Sequence, residues 1–167
     1  MTARAPTPLA KIELLALDVD GVLTDGRLYF GARGEALKVF HVRDGHGIKL
    51  LQASGVTVAV ISGRRSAAVK RRMQELGIVH LVQGCADKSA ALSSLAAKLG
   101  MRPTAAACLV DDTPDFALMA TVGFAAAVAD AHPLVRTAAH WVARAKGGHG
   151  AVRELCDAIL RARAGRR

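Results

Sequence analysis

Aromatic residues are scarce in this chain, with one Trp, one Tyr and four Phe in 167 residues. A core without large rings has to be assembled from Ala, Val, Leu and Ile, which suits helices packed on a parallel sheet. The same scarcity leaves a base-stacking platform for single strands unsupported. Cysteine is rarer still. Cys85, Cys108 and Cys156 form no CxxC pair, and their odd number fits reduced thiols in the cytoplasm rather than a disulfide framework. Cys108 falls in a predicted strand and Cys156 on a predicted helix, both expected to be packed and inert. No apolar run approaches the roughly 20 residues of a membrane span. Met1 to Ala10 carries Pro6 and Pro8 and lacks the apolar stretch of a secretory signal, so it reads as a frayed arm. Acidic residues are outnumbered, 14 against 23 Lys and Arg, for a net charge of +9. A basic surface attracts nucleic acid, membranes or small anions. Much of the charge lies in Arg64, Arg65, Lys70, Arg71 and Arg72 and in a tail of Arg161, Arg163, Arg166 and Arg167. No base-reading motif accompanies it, so neither nucleic acid nor a membrane is expected as a partner. The length is that of one domain, residues 1–167, with 1–10 and 164–167 expected to be flexible.

What the chain does have is a set of short apolar runs, each ending in polar residues. Leu14-Leu15-Ala16-Leu17 leads straight into Asp18-Val19-Asp20-Gly21-Val22-Leu23-Thr24. In open α/β sheets ligands bind at the carboxyl ends of strands. Two acids this close repel unless a cation or a proton sits between them, which points to a hard metal. The bland alternative is an Asp-Gly turn. A second run, Val56 to Ile61, ends in Ser62-Gly63-Arg64, where a hydroxyl and backbone N–H groups at a strand-to-helix turn suit a phosphate oxygen. Asp87-Lys88-Ser89 opens a helical run over 90–99. A Lys at a helix N-terminus opposes the helix dipole, so Lys88 is either a solvated surface charge or a neutraliser of phosphate. A third run, Ala105 to Val110, ends in Asp111-Asp112-Thr113-Pro114-Asp115. Three acids there suggest a magnesium site; Thr113 before Pro114 is also a good helix start.

The four segments, in this order, resemble the motifs of the haloacid-dehalogenase superfamily. The likeness extends over roughly 14–160 through Val42-Arg43-Asp44-Gly45, Gly84 with Asp87-Lys88, Val128 to Pro133 and Gly147 to Glu154. These segments resemble the 3-deoxy-D-manno-octulosonate 8-phosphate (KDO 8-phosphate) phosphatases. The resemblance implies a small Mg²⁺-dependent phosphatase acting before lipopolysaccharide assembly, on a small anionic sugar phosphate. It also implies a homotetramer that completes its sites with neighbouring subunits. By position, Asp18 is the nucleophile and Asp20 the general acid and base. Asp18, the backbone carbonyl of Asp20, and Asp111 hold the metal. Ser62 and Lys88 bind phosphate, Arg43 and Arg64 face the substrate, and Asp112 and Asp115 support the metal ligands from behind. Val110 stands where the family usually has Gly, His46 where a bulkier residue is usual, and His149 where Arg is usual.

The order of elements reads strand, hairpin, helix and then four further strands each followed by a helix, an alternation that predicts a doubly wound parallel α/β sheet of the Rossmann-like, haloacid-dehalogenase type. Leu28-Tyr29-Phe30 and Ala36 to Phe40 flank Gly31-Ala32-Arg33-Gly34, a hairpin signal. An insert this short is a flap, not a large cap domain. Its Tyr29 and Phe30 either join subunits or fold back on the chain's own core. Two rivals stay open: a phosphatase for another acidic sugar phosphate, such as a nonulosonate 9-phosphate, and an inactive haloacid-dehalogenase-type interaction module.

Overall fold

The computed structural model describes residues 6–165. The first apolar run forms strand β1 (Leu14–Leu17), buried along its whole length. A small antiparallel hairpin follows, β2 (Tyr29–Gly31) and β3 (Gly34–Leu37), outside the main sheet. The chain then alternates: α1 (Val42–Ala53), β4 (Thr57–Ser62), α2 (Ala67–Glu75), β5 (His80–Gln83), α3 (Lys88–Lys98), β6 (Ala106–Val110), α4 (Phe116–Thr121), β7 (Phe124–Ala127), α5 (Pro133–Ala138), β8 (Trp141–Val142) and α6 (Ala151–Ala164). The sheet is six-stranded and parallel in the order β5-β4-β1-β6-β7-β8.

That order explains where a site has to form. From β1 the chain moves outward through β4 to β5, then crosses back to β6 on the other side of β1. With right-handed crossovers, α1 and α2 cover one face and α3, α4 and α5 the other. Consistent with this, α1 packs along α6 and α3 against α4. The reversal leaves a crevice at the carboxyl end of β1, between β4 and β6, the kind of place where such sheets bind ligands. Leu17 is level with Val60 of β4 and with Leu109 of β6. Asp18, one residue on, therefore emerges beside the ends of both neighbours.

The core is aliphatic, as the scarcity of rings required. Leu15, Leu17, Ile48, Leu51, Ile61, Leu92, Leu109 and Leu155 are fully buried. Helix stops follow the glycine signals, with Gly55 and Gly77 at positive φ after α1 and α2. Cys108 and Cys156 are buried, and burial pushes both thiols up to about 12, which makes them inert packing groups.

Four features differ from the expectation. The pair α5–β8 is additional, because two strand residues and six helical ones are too short for periodicity to reveal. The start of the turn after β6 is capped by Asp112, whose carboxylate accepts the Thr113 N–H at 2.7 Å, rather than by Thr113. The N-terminal segment is tied down from Thr7: its N–H donates to Gly123 O and its hydroxyl to Thr104 O, before a short 3-10 turn at Leu9–Lys11. Residues 1–5 of the expected frayed arm lie outside the described residues. At the other end α6 runs to Ala164, and Arg163 donates to Ile12 O and Ser54 O instead of belonging to a solvated tail. Arg166 and Arg167 lie outside the described residues.

Candidate active site

At the carboxyl end of β1, the Asp18 N–H still bonds Leu109 O of β6, so the strand delivers this carboxylate into the crevice. The residue is 9% exposed, and its Oδ1 accepts the Val19 N–H at 2.7 Å. Gly21 then turns the chain at φ +83, a conformation that favours glycine. A Cβ there would lie 2.0 Å from Asp111 Oδ2, so the glycine is also what lets Asp111 approach the turn. Thr24 ties the loop together: its hydroxyl donates to Val19 O and accepts from Gly21 and Gly26.

β6 ends at Val110, which is fully buried, and Asp111 follows at once. Asp115 comes from the turn beyond and is 2% exposed. One carboxylate oxygen from each of Asp18, Asp111 and Asp115 lies within 4.8 Å of the others. Lys88, in the first turn of α3 behind the Asp87 cap, reaches into this cluster: its Nζ lies 2.8 Å from Asp18 Oδ2 and 2.7 Å from Asp115 Oδ1. The Lys that opposed its own helix dipole is therefore the counter-ion of buried carboxylates.

Three carboxylates against one ammonium leave net negative charge in a buried place, and the carboxyls respond. Burial raises Asp18 to about 6, with Lys88 pulling down and Asp115 pushing up. Burial, reinforced by the charges of Asp18, Asp115 and Asp112, raises Asp111 to about 7. Burial works against the Lys88 ammonium, yet the two carboxylates outweigh it and hold its pKa above the usual lysine value. A hard divalent cation suits this donor set, since Mg²⁺ takes oxygen ligands from one or two carboxylates and leaves room for phosphate.

Asp20 faces the other way. Its Oδ1 accepts a hydrogen bond from Lys38 Nζ, and its Oδ2 lies 3.9 Å from Arg64 Nε. Lys38 also pairs with Glu35 at 3.3 Å, and Glu35 accepts a bond from the Ser66 hydroxyl at the start of α2. Arg64 sits over the Phe30 ring, 5.9 Å from its centre. The hairpin is thus docked on the rim of the crevice by its own side chains. Ser62, 3% exposed, closes β4 and accepts the Arg64 N–H at 3.2 Å.

The structure brings Asp18, Asp111, Asp115 and Lys88 together and sets Asp20 with Arg64 beside them. Arg43 is exposed in the first turn of α1, with no hydrogen bond or ion pair to Asp18, Asp20 or Lys88. Asp112 is exposed and caps the turn, acting on the cluster only through its charge on Asp111. His46 and His149 are exposed. No signal in the sequence points to the roles of Lys38, Glu35, Asp44 and Asp130, although Asp44 and Asp130 lie within its motifs. Asp44, 1% exposed in α1, accepts the Gly150 and Arg153 N–H groups at the start of α6. Asp130 accepts the Gly147 N–H at 3.0 Å. Gly147 in turn presses on the Asp18 loop so closely that a Cβ would lie 1.7 Å from Gly21 O, and Gly148 donates to Val22 O. The segments at 128–133 and 147–154 therefore brace the Asp18 loop from behind.

Comparison with known proteins follows the same lines. Residues 77–155 match the model of the haloacid dehalogenase-like hydrolases. The chain is 52% identical over 151 residues to the 3-deoxy-D-manno-octulosonate 8-phosphate phosphatase of Yersinia pestis, covering 90% of this chain and 81% of that protein. The crystal structure of a Yersinia pestis phosphatase of that name superposes with a TM-score of 0.92 at 51% identity, covering 94% of this chain and 85% of the other. A Moraxella catarrhalis phosphatase of the same name, crystallised with a magnesium ion, a phosphate ion and KDO, gives a TM-score of 0.91 at 40% identity, covering 95% and 91%.

Proposed function

We infer that this chain, which belongs to the 3-deoxy-D-manno-octulosonate 8-phosphate phosphatase family of haloacid dehalogenase-like hydrolases, hydrolyses that sugar phosphate with Asp18 as nucleophile and Asp20 as general acid and base. The observation that carries the division of labour is the contrast between the two acids. Asp18 lies in the carboxylate cluster with Lys88 at 2.8 Å, whereas Asp20 stands apart from that cluster at the rim, beside Arg64 and held by the buried Lys38.

The steps follow from these positions. A carboxylate oxygen of Asp18 bonds to phosphorus as the bond from phosphorus to the sugar oxygen breaks. Asp20 gives its proton to the departing oxygen. Asp20, now a carboxylate, takes a proton from water as that water attacks the aspartyl-phosphate, which frees inorganic phosphate and restores Asp18. Lys88 and Ser62 hold phosphate oxygens where charge is concentrated. Asp18 and Asp111 would hold Mg²⁺ together with the Asp20 carbonyl, Asp115 standing against Lys88 behind them, and the ion supplies charge neutralisation between nucleophile and phosphate. Arg64, and at greater reach Arg43, would meet the substrate's carboxylate.

The name shared by the relatives favours KDO 8-phosphate over a nonulosonate 9-phosphate. We further propose a cytoplasmic homotetramer with no nucleic-acid partner. Its support is the exposed apolar surface of the hairpin, where Leu28, Leu37 and Val39 are 48, 53 and 52% exposed. Among the described residues no helix is long and apolar enough to cross a membrane.

Phosphate release from a panel of sugar phosphates, with Mg²⁺ or with EDTA, tests the reading. Metal-dependent preference for KDO 8-phosphate is expected. Asp18→Asn should lose at least about 10³-fold in turnover with its melting temperature preserved; near-normal activity of that variant would remove Asp18 from the role.

A further inference from the structure

The hairpin inverts the usual pattern of an edge element. Leu37 and Val39 are 53 and 52% exposed, while Lys38 between them has a side chain only 2% exposed. A buried ammonium is costly unless paired and hydrogen-bonded. Here it has two partners, Glu35 of β3 at 3.3 Å and Oδ1 of Asp20 across the crevice. The chain therefore turns a charge inward and two apolar side chains outward at this point, and the inward charge ends on the acid that works with the nucleophile.

We propose that Lys38 is a positioning residue for Asp20, holding Oδ1 so that Oδ2 is the oxygen that delivers and takes up the proton. This rests on the reading of Asp20 as general acid and base. Oδ2 is the oxygen on the Arg64 side of the carboxylate, 3.9 Å from Nε, and so faces the open rim where the phosphate ester would lie. Lys38 does not line that rim, because its side chain is nearly sealed off. It acts on the reaction through Asp20 alone. The Ser66 hydroxyl on Glu35 extends the same chain of contacts to the start of α2, which anchors the hairpin on the phosphate side of the crevice. A carboxylate free to rotate about its last torsions would spend only part of its time aimed at the leaving oxygen, and misplacement of a catalytic group by about 1 Å costs on the order of 100-fold.

The test exploits the proton. An alkoxide departing from a sugar phosphate needs one from Asp20; a nitrophenolate departing from p-nitrophenyl phosphate does not. Alcohol release in a single turnover is measured for the wild type, Lys38→Met and Asp20→Asn on both substrates. Lys38→Met should be about 10- to 100-fold slower on KDO 8-phosphate, with KM within about 2-fold, and less than about 3-fold slower on p-nitrophenyl phosphate. The second rate also reports an intact Asp18 centre, so a misfolded variant is recognised. Lys38→Arg should recover most of the loss, since it restores a cationic donor. Equal losses on the two substrates in Lys38→Arg, no loss in Lys38→Met, or a loss confined to KM would overturn the inference. If Asp20→Asn itself shows no dependence on the leaving group, it is the role of Asp20 that fails, not the action of Lys38 upon it.

Discussion

At the scale of single residues, the chemistry turns on how much charge is packed behind β1. Asp18 and Asp111 stand at about 6 and about 7, both raised first by burial. A carboxylate raised in the folded state takes up protons that the unfolded chain does not. Its contribution to stability is present below the unfolded value of 3.8 and is lost as pH rises through 6 to 7. The metal-free protein should therefore lose stability over that window as far as these two groups are concerned. Mg²⁺ competes with the same protons, so its stabilising effect should run the opposite way and grow as pH rises. At 100 times the dissociation constant a ligand stabilises by about 2.7 kcal/mol, or roughly 5–10 °C in a chain of this size. Thermal melts with saturating Mg²⁺ or with EDTA, at pH 5.5 and pH 8, should show a shift of that order at pH 8 and a much smaller one at pH 5.5. A shift independent of pH would mean that the ion binds somewhere other than Asp18 and Asp111.

At the scale of elements, two helices are joined by a single carboxylate. Asp44 sits in the first turn of α1, yet its oxygens accept the N–H groups of Gly150 and Arg153, which open α6. It caps a helix more than a hundred residues away, where its charge also suits the positive end of the helix dipole. Burial raises its pKa, with the two backbone donors opposing, so the carboxylate is costly to bury and those bonds offset part of that cost. Asp44→Ala should cost about 2–3 kcal/mol, from two buried donors left without a partner, and Asp44→Asn about half of that. Urea unfolding measures both; a loss below about 0.5 kcal/mol in Asp44→Ala would mean that burial of the carboxylate cancels its bonds. This role was not legible in the sequence, where Asp44 was visible only as part of a motif, because nothing local links it to residue 150. The strands that end in Asp18, Ser62 and Asp111 were legible for the opposite reason: a buried parallel strand is a continuous apolar run, and its polar end stands out. β8, with two residues, offers no such run, and Lys38 was hidden because its neighbours Leu37 and Val39 carry the apolar signal on the outward face.

At the scale of the whole molecule, the hairpin belongs to two surfaces at once. Its inner side turns Lys38 and Glu35 toward Asp20, and its outer side shows Leu28, Leu37 and Val39 to solvent. A stretch this apolar on a monomer is a surface in want of a partner, and closed symmetric assemblies are the usual outcome for identical chains. If four copies join there, the same contact that covers Leu37 and Val39 also presses Lys38 toward Asp20, so assembly and turnover are coupled. Sedimentation equilibrium should then give about 70 kDa, four times the 17.4 kDa chain. Leu28→Glu with Leu37→Glu should shift the mass to that of a monomer or dimer. Turnover of KDO 8-phosphate should fall with it, even though neither residue touches the Asp18 cluster, and the loss should be smaller on p-nitrophenyl phosphate for the reason that applies to Lys38. A wild-type mass near 17 kDa would remove the tetramer. A variant that dissociates while keeping full turnover would leave the assembly standing but sever it from the position of Asp20.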